Sequence, residues 1–263
     1  MIKQRFLYLL PLVFSFADAQ ADDAADLAKK LANPIAALIS VPIQANYDEG
    51  FGIDDGSVLR VNVQPVIPLE LNEDWNLISR TILPILDQSD VPLSGQGESG
   101  IGDVVQSLFF SPSEPSDSGW ILGAGPVFLM PTATDEALGA EKWGAGPTGI
   151  ALKQAGPWTY GFLVNHIESF SGSGDQDVSA SFLQPFLTYI TPSQTTFALN
   201  TESTYDWENE QWSVPINVNV LQLMRVGGQA FQAGIGARYW LDSPRGGPDG
   251  WGLRLSFTLL FPK

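Results

Sequence analysis

From Pro34 to the C-terminus the chain is a succession of stretches in which apolar and polar residues alternate. In the last of them Trp251, Leu253, Leu255, Phe257, Leu259 and Phe261 alternate with Gly252, Arg254, Ser256, Thr258 and Leu260. In the one before it Phe231, Ala233, Ile235, Ala237, Tyr239 and Leu241 alternate with Gln232, Gly234, Gly236, Arg238 and Trp240. A period of two is the signature of a β-strand with one apolar and one wet face. Each stretch runs about 10 residues or more, longer than the usual soluble strand of roughly 5–6 and enough to cross a bilayer when tilted. Large aromatics stand at both ends of the apolar faces, where a membrane interface would lie.

The same reading predicts about 12 strands by the even-number rule, at 36–47, 57–69, 75–87, 101–111, 119–130, 142–154, 158–169, 178–190, 195–206, 211–224, 230–241 and 250–261. Alternation is clean in 57–69 and 211–224 and muddier in 101–111, 142–154 and 158–169. Counted from a periplasmic N-terminus, the odd connections should be external and long, the even ones short. The even set includes 70–74, 155–157, 191–194 and 225–229, with 112–118 longer; the odd set includes the acidic 48–56, 88–100, 131–141, 171–177 and 242–250, with only 207–210 short. Prolines at 65, 84, 126, 147, 185 and 215 fall inside predicted strands, where they cost ladder bonds unless they sit at bulges.

The N-terminus reads as an export signal spanning 1–19: Lys3 and Arg5, an apolar run from Phe6 to Phe16, and Ala17-Asp18-Ala19 as cleavage site. That run is too short to span as a helix. Residues 20–33, with acids first and Lys29 and Lys30 last, read as a short periplasmic helix or a linker, placed to plug a barrel mouth if helical. Residues 34–263 form the barrel. An aromatic near the C-terminus resembles the terminal signature of outer-membrane barrels, with Pro262 and Lys263 following Phe261. A net charge of −16 argues against nucleic acid as a partner, and the absence of cysteine removes disulfides and thiolate metal sites.

Asn33-Pro-Ile-Ala-Ala-Leu-Ile-Ser-Val-Pro-Ile-Gln-Ala-Asn-Tyr-Asp48, Asn62-Val-Gln-Pro-Val-Ile-Pro68 and Asn72-Glu-Asp-Trp-Asn-Leu-Ile-Ser-Arg-Thr-Ile-Leu-Pro84 form a connected set of strings. Gly102-Asp-Val-Val-Gln-Ser-Leu-Phe-Phe-Ser-Pro112, Gly125-Pro-Val-Phe-Leu-Met-Pro-Thr-Ala-Thr134 and Asn200-Thr-Glu-Ser-Thr-Tyr-Asp-Trp207 extend it over nearly all of the mature chain. This resembles the outer-membrane barrel family described as a phenol meta-degradation pathway component or transporter, some members of which are mislabelled neuromedin U. The resemblance implies a barrel and uptake of small, often aromatic, solutes, and it carries no catalytic residues.

The single histidine, His166, lies in Asn165-His-Ile-Glu-Ser169. A lipase-like barrel would need a serine on its face of the strand, yet Glu168 is there and Ser169 is opposite. His166 therefore reads as a strand or rim residue, and the chain as a non-enzyme. Asp48, Glu49, Asp54 and Asp55 lack calcium-loop spacing and read as a solvated acidic rim. Gly95-Gln-Gly97 and Gly123-Ala-Gly125 have no phosphate-loop context. No metal or cofactor is expected.

By parity Arg60, Gln64, Arg80, Asn200, Glu202, Asn217, Arg238 and Arg254 point into the lumen, since charges facing lipid cost roughly 2–4 kcal/mol near the midplane. Hairpin arithmetic about Gly246 predicts a transverse row Glu202–Asn217–Arg238–Arg254, with one acid facing two guanidiniums. The fold expected is all-β, a closed antiparallel transmembrane β-barrel in the outer membrane of a Gram-negative envelope. The function expected is porin-like: a passive channel or transporter for small aromatic or anionic solutes, with Arg60, Arg80, Glu202, Asn217, Arg238 and Arg254 lining it. The alternative is a non-conducting surface barrel with a salt-bridged plug. Expected partners are outer-membrane lipid and lipopolysaccharide, a small-molecule solute and the barrel-assembly machinery.

Overall fold

A strand buried on neither face by protein survives only if its ladders close. The computed structural model, which describes residues 14–261, closes them as a 12-stranded antiparallel barrel. The strands are β1 (Ile39–Phe51), β2 (Gly56–Val63, resumed over Val66–Glu70), β3 (Trp75–Ser89) and β4 (Ser99–Ile101, resumed over Val104–Pro112). They continue as β5 (Trp120–Met130), β6 (Lys142–Ala155), β7 (Trp158–Gly172) and β8 (Ser179–Ile190). The last four are β9 (Thr195–Thr201, resumed over Ser203–Asp206), β10 (Gln211–Val226), β11 (Gln229–Asp242) and β12 (Gly250–Phe261). Each pairs with its sequence neighbours, and β12 closes on β1 from Phe261 opposite Ile39 to Leu253 opposite Tyr47. One end carries tight turns such as Gly156–Pro157 and Gly227–Gly228; the other carries the longer connections.

The outer face is apolar: Trp251, Leu253, Leu255, Phe257 and Phe261 on β12 are exposed, while Arg254 and Leu260 between them are buried. Tilted aromatic pairs mark both ends of this belt, Trp158 with Tyr189 at the turn end, and Tyr239 with Trp251 at the loop end. No described helix is long and apolar enough to cross a membrane.

The six prolines predicted inside strands sit at or beside breaks in the ladders. Pro65 lies in the break of β2 and Pro84 beside the break of β4, where its carbonyl accepts from Gly102 N at 2.9 Å. Pro126 and Pro147 face each other across β5 and β6. On their far sides the ladders jump, from Ser107–Val127 to Phe110–Ala124 and from Ala145–Glu168 to Thr148–Asn165. Pro185 and Pro215 stand on either side of the break in β9, at Glu202. A residue with no N–H removes a ladder bond, and the fold concentrates those losses at a few gaps.

Inside, the barrel is divided. Helix α1 (Phe14–Leu31) plugs the turn end, with Leu27 and Ala28 packed on Leu38, Ile190, Leu223, Ala230 and Leu260. It begins earlier than the predicted segment 20–33, within the predicted signal; the rest of that signal, residues 1–13, lies outside the described residues. The chain after the helix then enters the lumen. Ile35 packs with Val66, Ile78, Phe109, Ile150, Leu152 and Leu163, filling the side formed by β3 to β8 with apolar side chains. At the loop end the 131–141 connection folds inward, held by Asp103, whose carboxylate accepts from the N–H groups of Thr132, Ala133 and Ala140. Its Leu138 packs on Val58 and Leu86.

Ala28 is fully buried with no room for a larger or charged side chain. Ala28→Asp should release the helix from the barrel mouth. Limited proteolysis in detergent should then remove the N-terminal segment while the heat-modifiable barrel band persists; equal resistance in mutant and wild type would show that the helix is not held by this contact.

Candidate lumen site

The polar half of the interior encloses a cavity of about 830 Å³ bounded by β1, β2, β3 and β8 to β12. It runs from Lys30 and Asn33 at the turn end to Arg245, Gly246, Gly247 and Pro248 of the last external loop. That loop is pinned over the lumen: Gly52 N donates to Gly246 O at 3.1 Å, Asp249 N to Glu49 O at 3.0 Å, and Arg245 N to Gln211 Oε1 at 2.8 Å.

All six predicted lining residues face inward, and five of them, Arg60, Arg80, Glu202, Arg238 and Arg254, line this cavity. The sixth, Asn217, is fully buried and its amide donates to Asn200 Oδ1 at 2.8 Å. The predicted row forms only at its centre, where Asn217 lies opposite Arg238. Asn217 pairs with Asn200 rather than Glu202, and Arg238 lies opposite Gly252 while Arg254 lies opposite Gly236. Each slip is two residues, so parity and inward orientation are kept. The hairpin between β11 and β12 is centred on Arg245 instead of Gly246.

The two arginines consequently take separate partners. Arg254, only 2% exposed, reaches across the lumen to Glu202, with Nη1 to Oε1 at 3.0 Å and Nη2 to Oε2 at 2.7 Å. Its Nε donates to Asn46 Oδ1 at 2.7 Å, and the Gln44 carboxamide oxygen, turned toward the guanidinium, accepts at 2.6–3.0 Å. A forked, charge-assisted contact of this kind fixes orientation as well as energy. Glu202 is free to present its carboxylate this way because its strand neighbours are broken on both sides: Pro215 stands opposite it on β10 and Pro185 next to its other partner. The prolines that looked anomalous in the sequence thus frame the acid of the site.

Arg238 is held by a residue that sequence reasoning put elsewhere. Asp48 belongs to β1 and is buried at 6%, not part of a solvated rim loop. Its Oδ2 lies 3.2 Å from Arg238 Nη1, and its Oδ1 accepts from Trp240 Nε1 at 2.9 Å. Arg238 also stacks on the Trp240 ring, 4.8 Å from its centroid. Space for these groups comes from two glycines. A Cβ on Gly252 would meet Asp48 Oδ1 at 2.2 Å, and one on Gly236 would meet Asn219 Oδ1 at 2.1 Å. The signal that could have found Asp48 is its parity with Asn46 and Gln44, which line the same face.

Arg80 donates to Gln64 Oε1 at 2.8 Å. Arg60 is exposed to the cavity and has no ion-pair or hydrogen-bond partner among the described residues. The lining therefore holds six basic residues, the four arginines with Lys30 and Arg245, against two acids, Asp48 and Glu202. The whole chain has 13 basic and 29 acidic residues, so the cavity reverses the sign of the protein around it.

His166 lies outside this site, on the outer face near the loop end. Its Nδ1 is 3.0 Å from Ser181 Oγ and its Nε2 is 3.5 Å from Glu168 Oε2. Ser181, on the adjacent strand, is a partner that spacing along the chain does not reveal. Acyl transfer would further need preorganised oxyanion donors. Trp207 Nε1 already donates to Ser181 Oγ at 2.9 Å, and the backbone around Ser181 is paired to His166 and Tyr205. The cluster is a rim contact. Beside it Lys142 Nζ donates to Asp177 Oδ1 at 2.9 Å and holds that carboxyl below its ordinary range. No group of histidine and carboxylate ligands suited to a metal occurs among the described residues.

Glu202→Gln should lower the barrel's thermal stability by about 1–3 kcal/mol, below the 3–5 kcal/mol of a dry buried pair, because Glu202 keeps 23% exposure. Adding Arg254→Gln should recover part of the loss. Melting curves of the single and double variants in detergent give the coupling; additive losses would mean that solvent screens the pair.

No family model matches the chain, and no curated relative does. Among solved structures it is similar to an outer-membrane channel from Pseudomonas putida F1, at 14% identity over 87% of this chain and 97% of that one, with a TM-score of 0.67. Weaker likenesses are to the KdgM porin in complex with disordered oligogalacturonate, at 9% identity, 85% and 99% coverage and TM-score 0.45, and to the β domain of the Bordetella autotransporter BrkA, at 10% identity, 86% and 100% coverage and TM-score 0.48. The first likeness establishes the fold as that of an outer-membrane barrel.

Proposed function

We propose that this chain is an outer-membrane channel for small solutes and that anions pass it in preference to cations. The observation that carries this reading is the cavity reaching from Lys30 to the 243–249 loop, with six basic residues and two acids along it. The acids are each held by an arginine, leaving Arg60 and Arg80 without a counter-charge at bonding distance. In a narrow lumen with low-dielectric walls such fixed charge sets ion preference. The apolar side of the interior, and the resemblance to a family linked with phenol degradation, extend the solute range to molecules with aromatic bodies. On this reading lipid and lipopolysaccharide surround the barrel and the solute occupies its lumen. The second reading, a closed structural barrel, draws on helix α1 packed into the turn end.

Reconstituted into a planar bilayer, the protein should give discrete single-channel conductance, and a salt gradient should give a reversal potential of anionic sign. Arg80→Glu should move that potential toward cations. Complete absence of conductance supports the closed barrel.

On this reading the end with the longer connections faces out. A protease site inserted at Gly246 should be cut on intact cells, while one at Gly156, in a two-residue turn, should be protected. The reverse pattern would invert the orientation.

A further inference from the structure

We infer that Arg60 is a lumen binding site for a small organic carboxylate with an apolar body. This rests on the channel reading and names the solute class its lumen selects. The argument begins with what the other inward arginines do. Arg238 is spent on Asp48, Arg254 on Glu202 and Asn46, and Arg80 on Gln64. Of the arginines carried on the strands, Arg60 alone presents an exposed, unengaged guanidinium to the cavity among the described residues; Arg245, whose guanidinium also has no partner there, lies in the loop over the mouth. A planar fork of N–H donors matches a carboxylate in bidentate fashion, which a chloride ion cannot exploit.

Register places this fork at the level of the Glu202–Arg254 pair. Arg60 lies opposite Asn46, and Asn46 opposite Arg254. With strands roughly 4.8 Å apart, the Arg60 and Arg254 backbones stand roughly 10 Å from each other. An anion on Arg60 therefore occupies the same slice as the Glu202–Arg254 pair, whose carboxylate is already neutralised. Repulsion from the nearby acids is thus reduced.

The apolar half of the ligand is specified by the other neighbours of Arg60. Leu86 lies directly opposite it on β3 and Val58 precedes it on the same face. Both are buried in the cluster with Leu138, against which Phe51 packs. A second polar feature sits on the other side: Asn62, also lining the cavity, has a buried amide oxygen with no hydrogen-bond partner. A carboxylate whose body carries a hydroxyl would satisfy it. Inorganic anions lack the apolar body, and neutral aromatics lack the charge for the guanidinium.

The test measures binding apart from transport. The full-length exported protein, folded in detergent, is titrated calorimetrically with benzoate, with benzyl alcohol and with chloride. Benzoate should bind saturably, and Arg60→Gln should weaken it by on the order of tenfold or more, as loss of a charged hydrogen bond implies. Arg60→Lys should restore only part of the affinity. Because Arg60 holds no structural contact, both variants should keep the wild-type melting temperature. Equal benzoate binding in Arg60→Gln, or binding of benzyl alcohol or chloride as tight as that of benzoate, overturns the site. Benzoate binding that depends on Arg60 in a protein without conductance would overturn the channel and keep the site; conductance without such binding does the reverse.

Discussion

In hydrocarbon no water is present to take up an unpaired backbone N–H or C=O, so a spanning sheet must pair with itself all the way round. Pairing of β12 with β1 along nine residues of β1, from Ile39 to Tyr47, meets that demand here. Everything else in the molecule is arranged around the cost of breaking it. The breaks that do occur are grouped: Pro126 with Pro147, Pro84 with the gap in β4, and Pro185 with Pro215 around Glu202. The last group shows the use of such a gap. A residue freed from its ladder can aim its side chain without the sheet dictating its backbone, and Glu202 uses that freedom to meet Arg254 across the lumen.

The interior is then a division between two ways of filling a barrel. On the β3 to β8 side Phe109, Ile150, Leu152 and Leu163 make a core with Ile35 from the entering segment. On the other side charged and amide groups stand around a cavity. Burial of four arginines with two acids would be costly in a dry core. Part of the lining, Arg60 included, borders the cavity instead of packed protein, which lowers that cost.

How much of this was legible follows from the same division. Alternation shows clearly in β10 and in β2, because lipid lies on one side and a polar lumen on the other. In β4, β6 and β7 the inner face is apolar too: Phe109 points in and Phe110 out. Period two vanishes there, so the sequence pattern blurred while the strand positions held. Inward orientation of the charged residues was legible because lipid forbids the alternative. Their partners were not. Which residue stands opposite which depends on hairpin centres, and long loops leave those unspecified; slips of two residues at two hairpins separated Glu202 from Asn217 and Arg254 from Arg238. Asp48 was read as rim because it opens an acidic run, although its face is shared with Gln44 and Asn46. Contacts that cross the lumen, such as Glu202 with Arg254, have no sequence spacing at all.

A basic lumen inside a protein of net charge −16 raises the question of which charge a solute experiences. Of the 29 acids, 12 lie in the connections of the loop end, where solvent ions screen beyond roughly 8 Å at physiological salt. Charges in the lumen face low-dielectric walls and a thin water column, so their fields are focused along the path. An anion approaching the rim meets a weak, screened repulsion; once inside it meets Arg60 unopposed by any bonded acid. A cation meets the converse, a favourable rim and an unfavourable interior. In the channel proposed above, passage is governed by the highest barrier on the path; with the screened rim supplying the lower one, the lumen arginines would outweigh the total charge in setting selectivity.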